Sequence, residues 1–263
     1  MPAAHIIAET MTGIHLSVVV PVLNEGRTIE PFLDRVSRYL DSRGLAWEIV
    51  VVDDGSEDVT AALVETWMQR DPRVRLLRRS HRGKGSAIRD GMLAATGHWR
   101  FMADADLSVT PEDWSAFVDA AAGATVADVI IGSREAPGSR RIGEPIRRHL
   151  IGRVFNWTVQ ALAVPGINDT QCGFKLLSAA AATRLVPLLT IEGFAFDVEL
   201  LFLARRCGFT IQEVGVVWTC RTDSRVRLSR GAAAFADIAR IRWRAHRGRY
   251  AGLAGQTDPV RAR

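Results

Sequence analysis

Along the first half of the chain, short apolar runs alternate with segments of helical spacing. From Leu16 the sequence reads LSVVVPVLNE, a β-branched run closing in Pro, Asn and Glu, which is the pattern of a strand buried on both faces. A helix is expected from about Thr28 to Leu40, a second buried strand over Trp47 to Val52, and a helix from about Val59 to Gln69. A third strand, Val74 to Arg78, leads through the loop Arg82-Gly-Lys84-Gly85 into a helix that runs to about Ala95. A fourth strand, His98 to Met102, ends in Asp104-Ala105-Asp106, and VADVIIGSR supplies a fifth. Strand and crossover thus alternate five times, which predicts a parallel sheet with helices on both faces and ligands at the carboxyl ends of its strands.

After Arg134 the pattern changes. The stretch EAPGSRRIGEP reads as a polar loop, Ile146 to Ala163 as a helix, and GINDTQCGFKLL as a motif segment followed by a short helix. Phe194 to Cys207 is an expected helix and Thr210 to Trp218 an expected strand, together forming an acceptor half on the same core. Residues 1–15 read as a flexible leader, 16–228 as the main domain, 229–250 as a basic amphipathic helix and 251–263 as a flexible tail.

Composition narrows this picture. With 263 residues, 48% of them apolar, the chain can bury a sizeable core. Three cysteines without a C-x-x-C pair suit reduced thiols in the cytosol rather than a disulfide framework. No apolar run approaches the roughly 20 residues of a membrane span. The net charge of +5 is uneven: Arg221 to Arg263 holds eleven arginines and three aspartates, a net +8, which leaves −3 for residues 1–220. Between Gly231 and Arg249, helical spacing sets Ala234, Phe235, Ile238, Ile241 and Ala245 on one side and Arg240, Arg244 and Arg247 on the other. That pattern fits an interfacial helix on a membrane, and equally a helix packed on the domain with a solvated arginine face.

The most informative short motif is Asp104-Ala-Asp106. Two carboxylates one residue apart at a strand end can hold a hard divalent cation while substrate phosphates supply further oxygens; alone, the pair is equally a solvated turn. Three other strand ends add context. Pro21-Val-Leu-Asn-Glu25 and Asp53-Asp-Gly-Ser56 bring carboxylates suited to a nucleobase and ribose. Arg82-Gly-Lys84-Gly85 offers an ammonium and, at a helix start, backbone N–H groups suited to a diphosphate. The six histidines lack metal spacing and no G-x-S-x-G elbow follows a strand, which argues against a zinc hydrolase or a serine hydrolase.

In order, VVVPVLNE, VVDDGS, RGKGSAIRDG, DADLS, GSR, DTQCGFKLL and FAFDVELL resemble the inverting family 2 glycosyltransferases of GT-A fold, specifically the dolichyl- or polyprenyl-phosphate sugar synthases. The likeness covers about Leu16 to Val226, and the last two motifs resemble the glucosyl members more than the mannosyl ones. It implies an α/β fold with a mostly parallel, Rossmann-like sheet, an acceptor-side extension and a C-terminal amphipathic helix. It also implies that Pro21, Leu23, Glu25 and Asp53 contact the nucleoside, that Lys84 lies near the donor, and that Asp104, Ala105 and Asp106 hold donor and metal, Mg²⁺ or Mn²⁺. Ser108 stands where mannosyl relatives carry a metal-binding Gln. Arg134 and Arg148, with Arg147 as a neighbouring candidate, match acceptor-phosphate arginines. Asp169 opens the DTQCGF motif and is expected, with Asp106, Arg134 and Arg148, in the catalytic set. Ser224-Arg225-Val226 resembles an element that folds over the donor, with Asp223 in place of its usual glycine.

The activity so implied is inverting transfer from a nucleotide sugar, UDP-glucose or GDP-mannose, to a polyprenyl or dolichyl monophosphate. The expected location is cytoplasmic, peripheral at the inner face of the membrane. A polyprenyl monophosphate, with a second pKa of about 6, is already an anionic nucleophile near neutrality and needs no strong base. The alternatives are a family 2 enzyme elongating a polysaccharide or glycolipid, which typically carries a Q-x-x-R-W motif that is absent here, and a basic-tailed nucleic-acid-binding protein. Against the latter stand the net acidic core and the lack of aromatics interleaved with basic residues, so no nucleic acid is expected as a partner.

Overall fold

The β-branched runs form the centre of the molecule. The computed structural model describes residues 14–119, 127–220 and 228–250, with the side chains of the last segment described from 235 onward. The strands β1 (Leu16–Val22), β2 (Trp47–Asp53), β3 (Val74–Arg78) and β4 (Trp99–Met102) alternate with the helices α1 (Ile29–Ser42), α2 (Thr60–Arg70) and α3 (Lys84–Ala94). There follow α4 (Ser115–Asp119), β5 (Val129–Ser133), β6 (Arg140–Ile142), α5 (Ile146–Leu162), β7 (Lys175–Ser178) and α6 (Ala179–Leu185). The elements α7 (Phe196–Arg206), β8 (Ile211–Gly215), β9 (Val217–Thr219) and α8 (Leu228–His246) close the described chain.

Seven strands make one sheet in the order β3-β2-β1-β4-β7-β5-β8. All neighbours run parallel except β7, which is antiparallel to both β4 and β5. Because side chains alternate across a strand, Val18, Val20 and Val22 enter the core on one face, with Phe32, Trp114 and Phe117, while Val19 enters the other, with Val50 and Val52. Both faces are covered, which is why β1 and β2 read as continuous apolar runs. In α1 the buried positions Ile29, Phe32, Leu33, Val36 and Leu40 recur at helical spacing and form its inward stripe.

Three expectations need correction. The segment Lys175–Ser178, read as part of a motif, is the antiparallel strand that separates β4 from β5. Four residues opening on a charged side chain carry little strand signal, and here the lysine is accommodated because its ammonium finds buried partners. The expected strand Thr210 to Trp218 is two strands in two sheets, since β8 pairs with β5 whereas β9 pairs with β6. The polar loop before α5 accordingly contains β6, whose only strand partner among the described residues is that second piece.

The C-terminal helix packs on the domain. Ile238 and Ile241, assigned by spacing to an interfacial side, are fully buried in the same cluster as α7, and Phe235 meets Phe155 of α5 edge-on at 5.2 Å.

Helix α3 packs close on the sheet at Gly91. A β-carbon there would overlap Val19 and stand 2.7 Å from Val52 Cγ2. Gly91→Ala should therefore lower the unfolding free energy by about 1–3 kcal/mol through overpacking, read as a lower denaturant midpoint at unchanged slope.

Candidate active site

The carboxyl ends of β2, β1 and β4 lie side by side, so the loops that follow them share one crevice. Their neighbours are locked together before any ligand enters. Asn24, held at φ 53°, accepts through its side-chain oxygen from the backbone N–H of Glu57 at 2.8 Å, which ties the β1 loop to the β2 loop. The Glu25 carboxylate accepts from the Thr28 hydroxyl at 2.6 Å. Asp53 is buried and accepts from the Ser56 N–H at 2.9 Å. Pro21 and Leu23 are half-buried along the same edge.

Asp104 and Asp106 follow β4 and are both half-buried, with Ala105 buried between them. Lys84, the first residue of α3, donates from Nζ to Asp104 Oδ1 at 2.6 Å. Burial by itself would depress its pKa, but the carboxylates of Asp104, Asp197 and Asp106 outweigh that and hold it above the usual lysine value. Asp106 Oδ1 accepts from the Ser108 N–H at 2.8 Å. Among the described residues no group of three or more His, Cys, Asp or Glu side chains could hold a metal ion. A cation here would take two carboxylates from the protein and its other ligands from phosphate oxygens. Hard oxygen donors of this kind suit Mg²⁺ or Mn²⁺, so the residues present fit.

One expectation about this loop is overturned. The backbone N–H groups of the Arg82–Gly85 segment do not form an open phosphate cradle. Those of Arg82 and Gly83 donate to Asp54 at 3.0 and 2.8 Å, and those of Gly85 and Ser86 to the Glu192 carbonyl at 2.8 and 3.4 Å. A buried helix start must satisfy its donors, and here the protein does so itself. What the loop presents to a ligand is the Lys84 ammonium.

The second cluster lies at the end of β5. Arg134 grips Asp169 with two parallel bonds, Nε to Oδ2 at 2.7 Å and Nη2 to Oδ1 at 2.9 Å, while its backbone N–H donates to the same carboxylate. Burial works against the Asp169 anion, but Arg134 prevails and lowers its pKa to about 2. Arg134 and Arg148 both approach the ring of Trp218, at 5.3 and 5.5 Å from its centroid. Arg147, by contrast, is exposed. Asp169 thus serves as the anchor of Arg134.

The loop 168–174 joins the clusters. Its start is held by Glu213 of β8, which accepts from the Asn168 and Asp169 N–H groups, and by Asn156 of α5, which donates to the Asn168 carbonyl at 2.7 Å. Its end places Gly173 directly against Asp104: a β-carbon on residue 173 would overlap Oδ2 and stand 2.9 Å from Cγ. Behind it, fully buried Lys175 donates to Asp197 Oδ1 at 2.5 Å and to the Cys172 carbonyl at 2.6 Å. Cys172 is buried and its thiol is pushed up to about 11, which makes it an inert packing group.

Comparison with known proteins decides the family. The model of glycosyl transferase family 2 matches residues 17–183. The chain is 36% identical to the dolichyl-phosphate beta-glucosyltransferase of Dictyostelium discoideum over 88% of this chain and 75% of that one.

The chain belongs to glycosyl transferase family 2.

The dolichyl-phosphate beta-glucosyltransferase of Homo sapiens is 36% identical over 78% of this chain and 67% of its own, and that of Saccharomyces cerevisiae 35% over the same shares. The fold is that of GT-A enzymes. Glucosyl-3-phosphoglycerate synthase from Mycobacterium tuberculosis, crystallised with Mn²⁺, UDP and phosphoglyceric acid, superposes with a TM-score of 0.66 at 21% identity, over 87% of this chain and 77% of that one. The same synthase has been crystallised with Mg²⁺ and UDP.

For this glycosyltransferase, the sequence-derived donor residues Pro21, Leu23, Glu25, Asp53, Lys84, Asp104, Ala105 and Asp106 come together at adjacent strand ends, and Arg134 meets Arg148 and Asp169. Arg225 lies outside the described residues. Trp218, Lys175, Asp197 and Glu213 were not among the candidates. Only the charges in otherwise apolar runs at Lys175 and Asp197 hinted at them.

Because Asp169 is ionised far more readily in the fold than in the unfolded chain, its pair with Arg134 stabilises above about pH 4 and is lost as pH falls toward 2, a contribution of about 2 kcal/mol. Asp169→Asn should cost about 3–5 kcal/mol at neutral pH, since it leaves a buried arginine unpaired. The gap between wild type and variant in chemical denaturation should narrow between pH 4 and pH 2; a constant gap would rule out the pair as its source.

Proposed function

We propose that this glycosyltransferase moves glucose from UDP-glucose to a polyprenyl or dolichyl-type monophosphate, inverting the anomeric centre to give a β-linked lipid phosphosugar and UDP. The observation that carries the lipid part is the surface of α5. Ile146, Leu150, Val154 and Trp157 recur at helical spacing and are all exposed, Ile146 at 77% and Trp157 at 59%, with Ile151 exposed beside them. Arg148 belongs to the same helix and shares Trp218 with Arg134. Helical geometry turns Arg148 toward Trp218 and the stripe toward the opposite, outer side of α5. An acceptor phosphate held by these arginines would thus lie against a helix whose outer face is apolar, which suits an acceptor presented at a lipid surface. The relatives named dolichyl-phosphate beta-glucosyltransferase support the same acceptor and sugar. The UDP complexes of the mycobacterial synthase support the base.

In this reading Pro21, Leu23, Glu25 and Asp53 receive the nucleoside, and Lys84 meets the diphosphate. Asp104 and Asp106 would hold a divalent cation, Mg²⁺ or Mn²⁺, whose charge would ease departure of the nucleoside diphosphate. Arg134 and Arg148 orient the acceptor phosphate, for which planar guanidinium donors are suited. Its anionic oxygen forms the new bond to the anomeric carbon as the bond to the diphosphate breaks, and the electron pair leaves on the diphosphate. No proton needs to be removed from the nucleophile, so Asp169 acts as the anchor of Arg134 and not as a base.

The same surface supports membrane attachment. No described helix is long and apolar enough to cross a bilayer, and the apolar side of α8 is partly occupied by the domain. The α5 stripe, with Trp243 and Phe235 exposed on α8 and arginines on both helices, has the character of an interfacial surface. We place it at the cytoplasmic leaflet, as a peripheral contact.

Asp106→Asn should lower turnover by about 10²-fold or more with an unchanged unfolding midpoint; full activity of the variant in excess EDTA would remove the cation from the mechanism. Arg148→Ala should reduce kcat/KM for a short prenyl phosphate by about 10- to 100-fold, the size of a lost charge-assisted bond, while KM for UDP-glucose stays within about twofold. Equal losses on both substrates would contradict the acceptor role. A panel of nucleotide sugars against the same acceptor tests the donor assignment directly.

Leu150→Glu combined with Val154→Glu should abolish sedimentation with anionic liposomes and leave activity on a water-soluble prenyl phosphate intact. Retained sedimentation would exclude α5 as the membrane face.

A further inference from the structure

The first turns of α7 carry two buried carboxylates two residues apart. Asp197 serves Lys175; Glu199 points into a different network and has no part in the chemistry described so far. Its Oε2 accepts from the N–H groups of Thr190 and Ile191 at 2.8 and 2.9 Å, and its Oε1 from the Thr190 hydroxyl at 2.6 Å and the Tyr250 hydroxyl at 2.8 Å. Arg244 of α8 also donates to the Thr190 hydroxyl. Four hydrogen bonds on one fully buried carboxylate make a rigid centre, and three of the four donors come from the segment 190–191.

That segment is the outer wall of the Lys84 loop. The Glu192 carbonyl accepts the N–H groups of Gly85 and Ser86. A β-carbon on residue 83 would stand 2.6 Å from the Glu192 oxygen, and one on residue 85 would overlap the Ile191 carbonyl and lie 2.7 Å from Phe196 Cβ. Both loop glycines are therefore shaped by this wall, and Lys84 stands between them with its ammonium on Asp104. The start of the wall is in turn held by Glu199, whose Oε1 accepts one of its two hydroxyls from Tyr250, beyond α8.

We infer that Glu199 and Tyr250 are positioning residues for the donor diphosphate: the C-terminal segment, by seating the Tyr250 hydroxyl on Glu199, fixes the 190–192 wall and through it the Lys84 ammonium. This rests on the reading of Lys84 as a donor contact. Removal of the hydroxyl loosens the wall without touching substrate, so the enzyme should lose grip on the nucleotide sugar and not on the lipid phosphate, which is held at the far end of the 168–174 loop.

Tyr250→Phe is the clean variant, because its ring keeps the packing against Phe202. In the ligand-free protein, amide hydrogen exchange at Thr190, Ile191, Gly85 and Ser86 should quicken about tenfold, while the β1 amides of Val18 to Val20 keep wild-type rates. In steady-state assays with Mn²⁺ and a short prenyl phosphate, KM for UDP-glucose should rise about three- to tenfold and KM for the acceptor stay within twofold. In a Lys84→Ala background, Tyr250→Phe should add no further loss, as expected for two residues acting through one group. Glu199→Gln, which can keep one oxygen for the Thr190 and Ile191 N–H groups but replaces the acceptor of the Thr190 and Tyr250 hydroxyls by an amide donor, should act in the same direction. Unchanged exchange at Gly85 and Ser86 overturns the inference, as does faster exchange with an unchanged donor KM, or the same penalty with and without Lys84. Should the wild-type enzyme fail to use UDP-glucose at all, the donor reading falls while the exchange measurement still decides the coupling.

Discussion

Residue 173 has no room for a side chain, because a β-carbon there would run into the Asp104 carboxylate. That contact ties the 168–174 loop to the end of β4, and the remaining geometry is arranged to preserve it. Lys175 can enter the sheet because Asp197 and the Cys172 carbonyl accept from its Nζ. Breaking a buried pair of this kind leaves an uncompensated charge and costs several kcal/mol, so the antiparallel strand β7 and the loop before it hold one position. The opposite end of the loop is pinned by Glu213 and Asn156, and its Asp169 delivers Arg134. One short segment therefore sets the distance between the Asp104 carboxylate and the Arg134–Asp169 pair.

This arrangement shapes the electrostatics of the crevice. Lys84 is drawn onto Asp104 before any substrate arrives, and Arg134 onto Asp169, so each cation is placed by an anion of the protein. A group held in this way needs little reorganisation when charge develops nearby, which is the general advantage of a preorganised polar site. The exposed apolar stripe of α5 lies on the helix that also carries Arg148 and the Asn156 clamp, so the surface proposed to meet the membrane and the proposed acceptor arginine belong to opposite sides of one rigid element.

Much of this was legible in the chain. The runs at Leu16 and Trp47 identify their strands because burial on both faces demands nearly unbroken apolar residues, and the shorter VRLLR and WRFM runs are legible from the alternation that they continue. The loops after them display Glu25, Asp53, Asp104 and Asp106, since polar residues closing such runs end up at one sheet edge. The family resemblance is borne out, and with it the mostly parallel sheet. The strand β7 was hidden by its length and by Lys175, and the break between β8 and β9 by apolar residues that continue across it.

What the sequence determined by itself is therefore local: which runs bury, where they stop, and which charged residues stand at the stops. Only the tertiary structure decided which charges pair. Asp169 with Arg134, Lys175 with Asp197, and Tyr250 with Glu199 are 35, 22 and 51 residues apart, and nothing in their spacing foretells them. It also decided that Asp54 and the Glu192 carbonyl satisfy the N–H groups before α3, and that the apolar side of α8 faces α7 while the stripe on α5 is left open. Periodicity reports that a helix has two faces. Which face meets protein depends on what the fold brings against it, and that is set by packing among elements far apart in the chain.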